Sequence, residues 1–109
     1  MMKTSFKISD VCFESMTRQS GKILREHIIK VLKKNKFVSI DLENQDLTPS
    51  FADDAFGKLV SSIGMETFKK TIEINNVGTS SRSLIVHVVN RRSKEFLTNP
   101  SHHKEMTTV

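Results

Sequence analysis

Two short β-branched runs stand between stretches whose apolar residues recur at helical spacing: FVSIDL at Phe37–Leu42 and TIEIN at Thr71–Asn75. No other feature of the chain restricts its fold so strongly. Alternation of apolar and polar residues reads as a strand, and recurrence at three and four residues reads as an amphipathic helix. Thr17–Lys34 carries Ile23, Leu24, Ile28, Val31 and Leu32 on one stripe, and Asn35 is a plausible stop. The stretch from Ser50 to Ile63 presents Phe51, Ala55, Phe56, Leu59 and Val60, and Gly64 follows as a cap. From Ser80 to about Phe96, Leu84, Ile85, Val88 and Val89 fit a helix. LIVHVV alone would also fit a strand; the length of the segment and its polar flanks favour a helix. A first short strand is expected near Phe6–Ile8, extended around Val11–Phe13. The order β-α-β-α-β-α implies an α/β fold, a small sheet with helices packed on it. Right-handed crossovers would make the two central strands parallel.

At 109 residues the chain has room for one domain, expected over 1–97, with a disordered tail over 98–109 around Pro100. No apolar run approaches the roughly 20 residues of a membrane helix. The opening MMKTSFKISD lacks the apolar core of a signal peptide. With Cys12 as the one cysteine, no disulfide framework is expected, and the chain reads as cytoplasmic.

The net charge of +5 is unevenly spread. No base stands between Lys36 and Lys58, where Asp41, Glu43, Asp46, Asp53 and Asp54 lie. That window carries −5, so the remainder carries +10. It reads as one acidic region on a basic chain, unsuited to contact with a phosphate backbone.

In sheets of this kind ligands and partners meet the carboxyl ends of strands. The polar stretch Glu43–Ser50 leaves such an end and opens a helix. Thr48 precedes Pro49 and should be extended. Ser50 is expected to cap the helix, with Asp53 three residues on in the manner of a capping box. Asp53 and Asp54 would complement the helix dipole.

The segment VSIDLENQDLTPSFADDAFGKL resembles the STAS-like family of small bacterial proteins, whose members carry a strand with Asp followed by a TPSFADE-type loop and helix. TRQSGKILREHI resembles that family's Arg-x-x-Gly-x-x-Leu-Arg helix at Arg18, Gly21, Leu24 and Arg25. IEIN and LIVHVVNRR match in order, so the resemblance spans roughly residues 15 to 92. The family is similar in turn to the STAS domains of anti-anti-sigma factors. The resemblance implies a non-enzymatic, partner-switching regulatory module whose partner is a histidine-kinase-like ATPase or serine kinase. In STAS domains the switch is a phosphorylated serine in an Asp-Ser-Ser-Gly loop. Laid on that loop, Thr48, Pro49, Ser50 and Phe51 retain only the serine, so Ser50 is the candidate phosphosite. The alternative is a docking loop that is never modified. The candidate partner-binding residues are Asp46, Thr48, Pro49, Ser50, Phe51, Asp53 and Asp54. A phosphate on Ser50 would gain from the helix N-terminus and would be repelled by Asp53 and Asp54.

Other chemistries have little support. His27, His87, His102 and His103 show no zinc-ligand spacing, and Cys12 has no cationic neighbours in sequence. The glycines Gly21, Gly57, Gly64 and Gly78 are scattered and form no phosphate loop, so no cofactor is expected. No nucleophile–base pair is visible, which argues against an enzyme. Arg91, Arg92 and Lys94 would complement the dipole of the last helix. They also leave open a nucleic-acid-binding module, as a STAS ancestry leaves open a nucleotide- or small-ligand-binding domain.

Overall fold

The computed structural model describes residues 3–11 and 17–98. Its elements are β1 (Lys3–Lys7), the single turn α1 (Ile8–Val11), α2 (Arg18–Leu32), β2 (Phe37–Asp41), α3 (Pro49–Ala52), α4 (Lys58–Ile63), α5 (Met65–Thr71), β3 (Ile72–Asn75) and α6 (Thr79–Thr98). Between α3 and α4 the helix continues through a π-helical segment, Asp53–Gly57. The chain is thus a small α/β domain of order β-α-β-α-β-α with a STAS-like arrangement.

The three strands are parallel and lie in sequential order β1-β2-β3. Right-handed crossovers between sequential parallel strands put every connecting helix on the same face. Side-chain burial agrees. Thr4, Val38 and Ile72 stand in one row and Phe6, Ile40 and Ile74 in another, all at least half-buried. The other face carries Lys3, Ser5, Lys7, Glu73 and Asn75, all exposed. It is polar and open, and Ser39 on it is covered by a hydrogen bond from Asn75 Nδ2 at 2.7 Å. The alternation in FVSIDL is the imprint of these two faces.

The helical layer buries the core. Leu24 and Ile28 of α2, Phe51 and Phe56, Leu59 and Val60 of α4 are all fully buried over Val38 and Ile40. Phe56 also meets Phe68 of α5 edge to face at 6.5 Å, a favourable aromatic arrangement. Residues 84–89 are helical: Ile85, Val88 and Val89 are buried while Val86 is half-exposed, a period that no strand would give. Gly64 ends α4 with φ of 86°, a backbone conformation that favours glycine.

Several boundaries differ from expectation. The first strand begins earlier and ends at Lys7; Ile8 and Val11 belong to α1, and Cys12 and Phe13 lie outside the described residues. The cause is Ile8, fully buried at the start of α1, and the Lys7 N–H, which donates to Asp10 Oδ2 at 3.1 Å. Thr98 still belongs to α6, and the expected tail beyond it, with His102 and His103, lies outside the described residues.

Candidate functional site

The stretch after β2 is built as a rigid surface at the carboxyl ends of the strands. Glu43 and Asn44 both have φ of 55°, and the Gln45 N–H donates to the Leu42 carbonyl at 3.0 Å. Positive φ at both central residues defines a primed turn. Such backbone is uncommon outside glycine and persists where neighbours hold it. Here they do. Asp41 Oδ1 accepts from the Glu43 N–H at 2.8 Å and from Asn76 Nδ2 at 2.9 Å. The Asn44 N–H donates to the Asn76 carbonyl at 2.8 Å, and the Ser9 N–H to Glu43 Oε1 at 3.0 Å. The two hydrogen bonds at its carboxylate hold the Asp41 carboxyl below the ordinary aspartate range. Farther along, the Leu47 N–H donates to Ser81 Oγ at 3.2 Å, and Ser81 Oγ donates to the Gln45 carbonyl at 3.3 Å.

The helix start is where the structure corrects the sequence reading. Thr48, not Ser50, is the cap: its Oγ1 accepts from the Phe51 N–H at 3.1 Å and its backbone is extended. Pro49 follows at the first helical position, where the missing N–H costs nothing and the fixed φ suits the helix. Ser50 is therefore one residue inside the helix, exposed, its hydroxyl without a hydrogen-bond partner among the described residues. Asp53 completes no capping box. Thr48→Ala is expected to cost about 1 kcal/mol, the usual worth of an N-cap. Ser50→Ala should stay within about 0.5 kcal/mol. Urea melts of the two variants decide it; equal losses would make the capping assignment wrong.

The seven candidate partner residues divide into two groups. Asp46, Thr48, Pro49 and Ser50 are exposed on the loop and the first turn. Phe51, Asp53 and Asp54 are buried, at 0%, 6% and 2% exposure. A docked partner could not touch these three without opening the domain.

Asp53 and Asp54 are not dipole complements on an acidic surface either. The π segment lies between α2 and α6, and each helix supplies arginines to it. Arg25 Nη1 and Arg18 Nη1 reach Asp54 at 2.7 and 2.9 Å, with Lys58 Nζ at 3.3 Å. Arg25 also donates to the Asp54 main-chain carbonyl. Arg92 clamps Asp53 through Nη2 at 2.7 Å and Nε at 2.9 Å, and Arg91 Nη2 adds a contact at 3.0 Å. Five cations thus meet two carboxylates.

The Arg92 guanidinium holds the Asp53 carboxyl below its usual range. For Asp54, burial pushes upward, but Arg25, Arg18 and Lys58 together outweigh it and the carboxyl is lowered. Arg92 is raised by Asp53 in return. The expected repulsion between these two acids and a phosphate on Ser50 is accordingly removed, because their charge is more than balanced in place.

Glycine makes the crossing possible. A Cβ on Gly21 would lie 2.7 Å from the Phe51 carbonyl oxygen, and one on Gly57 would lie 2.6 Å from Asp53 Oδ1. Arg18, Gly21, Leu24 and Arg25 therefore serve one contact: a small residue for approach, a leucine for the core and two guanidiniums for Asp54. Their spacing of three and seven residues put them on one helix face, the single trace of this cluster in the sequence. Arg91 and Arg92, read as dipole complements, are the other side of the same lock.

Among the described residues, no group of three His, Cys, Asp or Glu side chains could hold a metal ion. No helix among them is long and apolar enough to cross a membrane. A family model described as a STAS-like domain of unknown function matches residues 20–82 of the chain. Neither the curated proteins nor the solved structures contain a match.

Proposed function

The chain belongs to this family of STAS-like domains, and from that premise we propose that it is a non-enzymatic regulatory module that docks a protein partner through the loop 43–48 and the first turn of α3. One observation carries the reading. The loop main chain is tied to Asn76 and to Ser81, and the Glu43 side chain to the Ser9 N–H of α1, while Asp46, Pro49 and Ser50 stay exposed. A surface held before the partner arrives loses little freedom on binding.

The partner class is a histidine-kinase-like ATPase or a serine kinase, on the strength of the STAS resemblance. Ser50 is the position at which that partnership would be switched. A phosphate there would add about −1.5 to −2 charges at the second helical residue, where the free N–H groups of the first turn favour an anion. It would change the charge of the surface the partner reads without disturbing the cap at Thr48.

The nucleic-acid reading rested on Arg91, Arg92 and Lys94, and the first two guanidiniums are engaged with Asp53. The nucleotide-binding reading has no glycine-rich cradle to support it.

The test is capture from native lysate with wild-type, Ser50→Asp and Asp46→Lys baits, read by mass spectrometry. An ATPase-type protein should be retained by the wild type, with retention changed about tenfold, or roughly 1.4 kcal/mol, by each loop substitution. The same spectra report any phosphate on Ser50. Equal retention on all three baits would remove the loop from the interface.

A further inference from the structure

At the end of the sheet opposite this loop lies an open groove of about 640 Å³. It is formed by the end of α2, the start of β2, Ile63 of α4 and the body of α5. Leu32 and Ile63 rest on the core at its floor, beside the half-buried Phe37. Its rim carries Lys33, Lys34, Lys36 and Lys70, all exposed. Lys69 stands beside Lys70 on a second, smaller hollow that shares Phe37. Two carboxylates stand near this rim among the described residues: Glu66, 4.0 Å from Lys70 with both side chains largely in solvent, and Glu73 on the smaller hollow, paired with Lys3 at 3.1 Å. Lys33, Lys34, Lys36 and Lys69 have no ion-pair partner among those residues.

The two ends of the domain are thus opposite in charge: Asp10, Asp41, Glu43 and Asp46 gather at the carboxyl ends of the strands, lysines at the amino ends. A lysine rim alone would be a solvated face. A recessed apolar floor alone would be a shallow dent. Together they select a ligand that is both negative and apolar.

We propose that this groove docks an acidic peptide segment of a protein partner, with one large apolar side chain seated on Leu32, Phe37 and Ile63 and its carboxylates met by the lysines. Leu32, Phe37 and Ile63 line the groove among the lysines, where one projecting apolar side chain can meet all three. Lysine stems also cover an inserted apolar group while their ammoniums stay in water. The rim has no arginine fork for phosphate, and Phe37 alone makes no platform for stacked bases. The site is independent of the loop around Ser50.

The experiment uses the full chain and a fluorescent twelve-residue peptide of Glu and Asp with one central Phe, followed by anisotropy. A second peptide has Ser in place of the Phe. The Phe peptide should bind at least about tenfold more tightly than the Ser peptide. The triple reversal Lys34→Glu, Lys36→Glu and Lys70→Glu should weaken it by at least about tenfold, and Ser50→Asp should leave it unchanged. Amide shifts on the wild type should centre on Leu32, Phe37 and Ile63. Equal binding of both peptides, or no effect of the reversal, would overturn the proposal. So would tighter binding of a thymidine oligonucleotide or of phosphatidylserine vesicles offered in parallel. The peptide pair keeps the test decisive even if the triple variant folds poorly.

Discussion

Asp54→Asn is expected to destabilise the domain by about 3–5 kcal/mol at neutral pH, the usual cost of removing one partner of a buried ion pair. Asparagine keeps the shape of the side chain, so the loss is one of charge. Asp54 is 2% exposed and is the anchor for Arg25, whose side chain is only 16% exposed. Arg18 and Lys58 are about half-exposed and can turn to water. Arg25 cannot, and would be left as a poorly solvated cation against the Asp54 carbonyl. A domain of this size has about 5–15 kcal/mol in total, so the loss is a large share.

The sign of the pH dependence follows from the lowered Asp54 carboxyl. Its contribution is fully present above the unfolded value of about 3.9 and is lost as pH falls through the folded value. Urea melts at pH 7 should therefore show the full gap between wild type and variant, and the gap should close below about pH 4. A gap that persisted unchanged into acid would mean that the carboxylate charge is not what holds α2 to the π segment.

The parts of the fold that local pattern controls were readable in advance. FVSIDL and TIEIN alternate because one face of the sheet is covered and the other is open. The ambiguity of LIVHVV was real, since Leu84 to Val89 are apolar at five of six positions; the polar flanks decided it, and the half-exposed Val86 shows the helical period at work. The cap was misread because Thr48 and Ser50 are both good capping residues. The distinguishing clue was Pro49, which belongs at the first helical position and so assigns the cap to the residue before it.

Asp53 and Asp54 were misread for a deeper reason. Acids in the first turns of a helix have a local explanation in the dipole, and that explanation suffices when nothing else is known. Their arginine partners lie 29 to 39 residues away along the chain, on two other helices. No local rule brings those elements together. The π segment is equally silent in the sequence, and it packs against both α2 and α6. Topology put the loop after β2 at the carboxyl ends of the strands, and the structure has it there. Which of its residues face solvent depended on the turn at Glu43 and Asn44, which neither residue announces.

Gly21→Ala sets two effects of opposite sign against each other. In an exposed helix interior, alanine in place of glycine would stabilise by about 1 kcal/mol through helix propensity. At Gly21 the added methyl would meet the Phe51 carbonyl oxygen at 2.7 Å, Asp54 Cβ at 2.9 Å and the Ala55 nitrogen at 3.1 Å. Two of these are main-chain atoms of a buried helix and cannot swing aside. α2 must retreat, and Arg18 and Arg25 must stretch their contacts to Asp54. Overpacking of this kind typically costs about 1–3 kcal/mol, and strained ion pairs add to it. The expected net result is a loss of about 2 kcal/mol, or a fall in Tm of roughly 8–16 °C for a domain near this size. Gly57→Ala should cost less, because its nearest neighbours are side-chain atoms of Asp53 and Arg92. Gly78→Ala meets nothing within 4 Å and should be close to neutral. Because Gly21 and Asp54 act on the same contact, the double variant should lose less than the two single losses added together, by about 0.5 kcal/mol or more. A rise in Tm for Gly21→Ala would mean that α2 does not approach the π segment this closely, and strict additivity would mean that the glycine and the carboxylate do not share one lock.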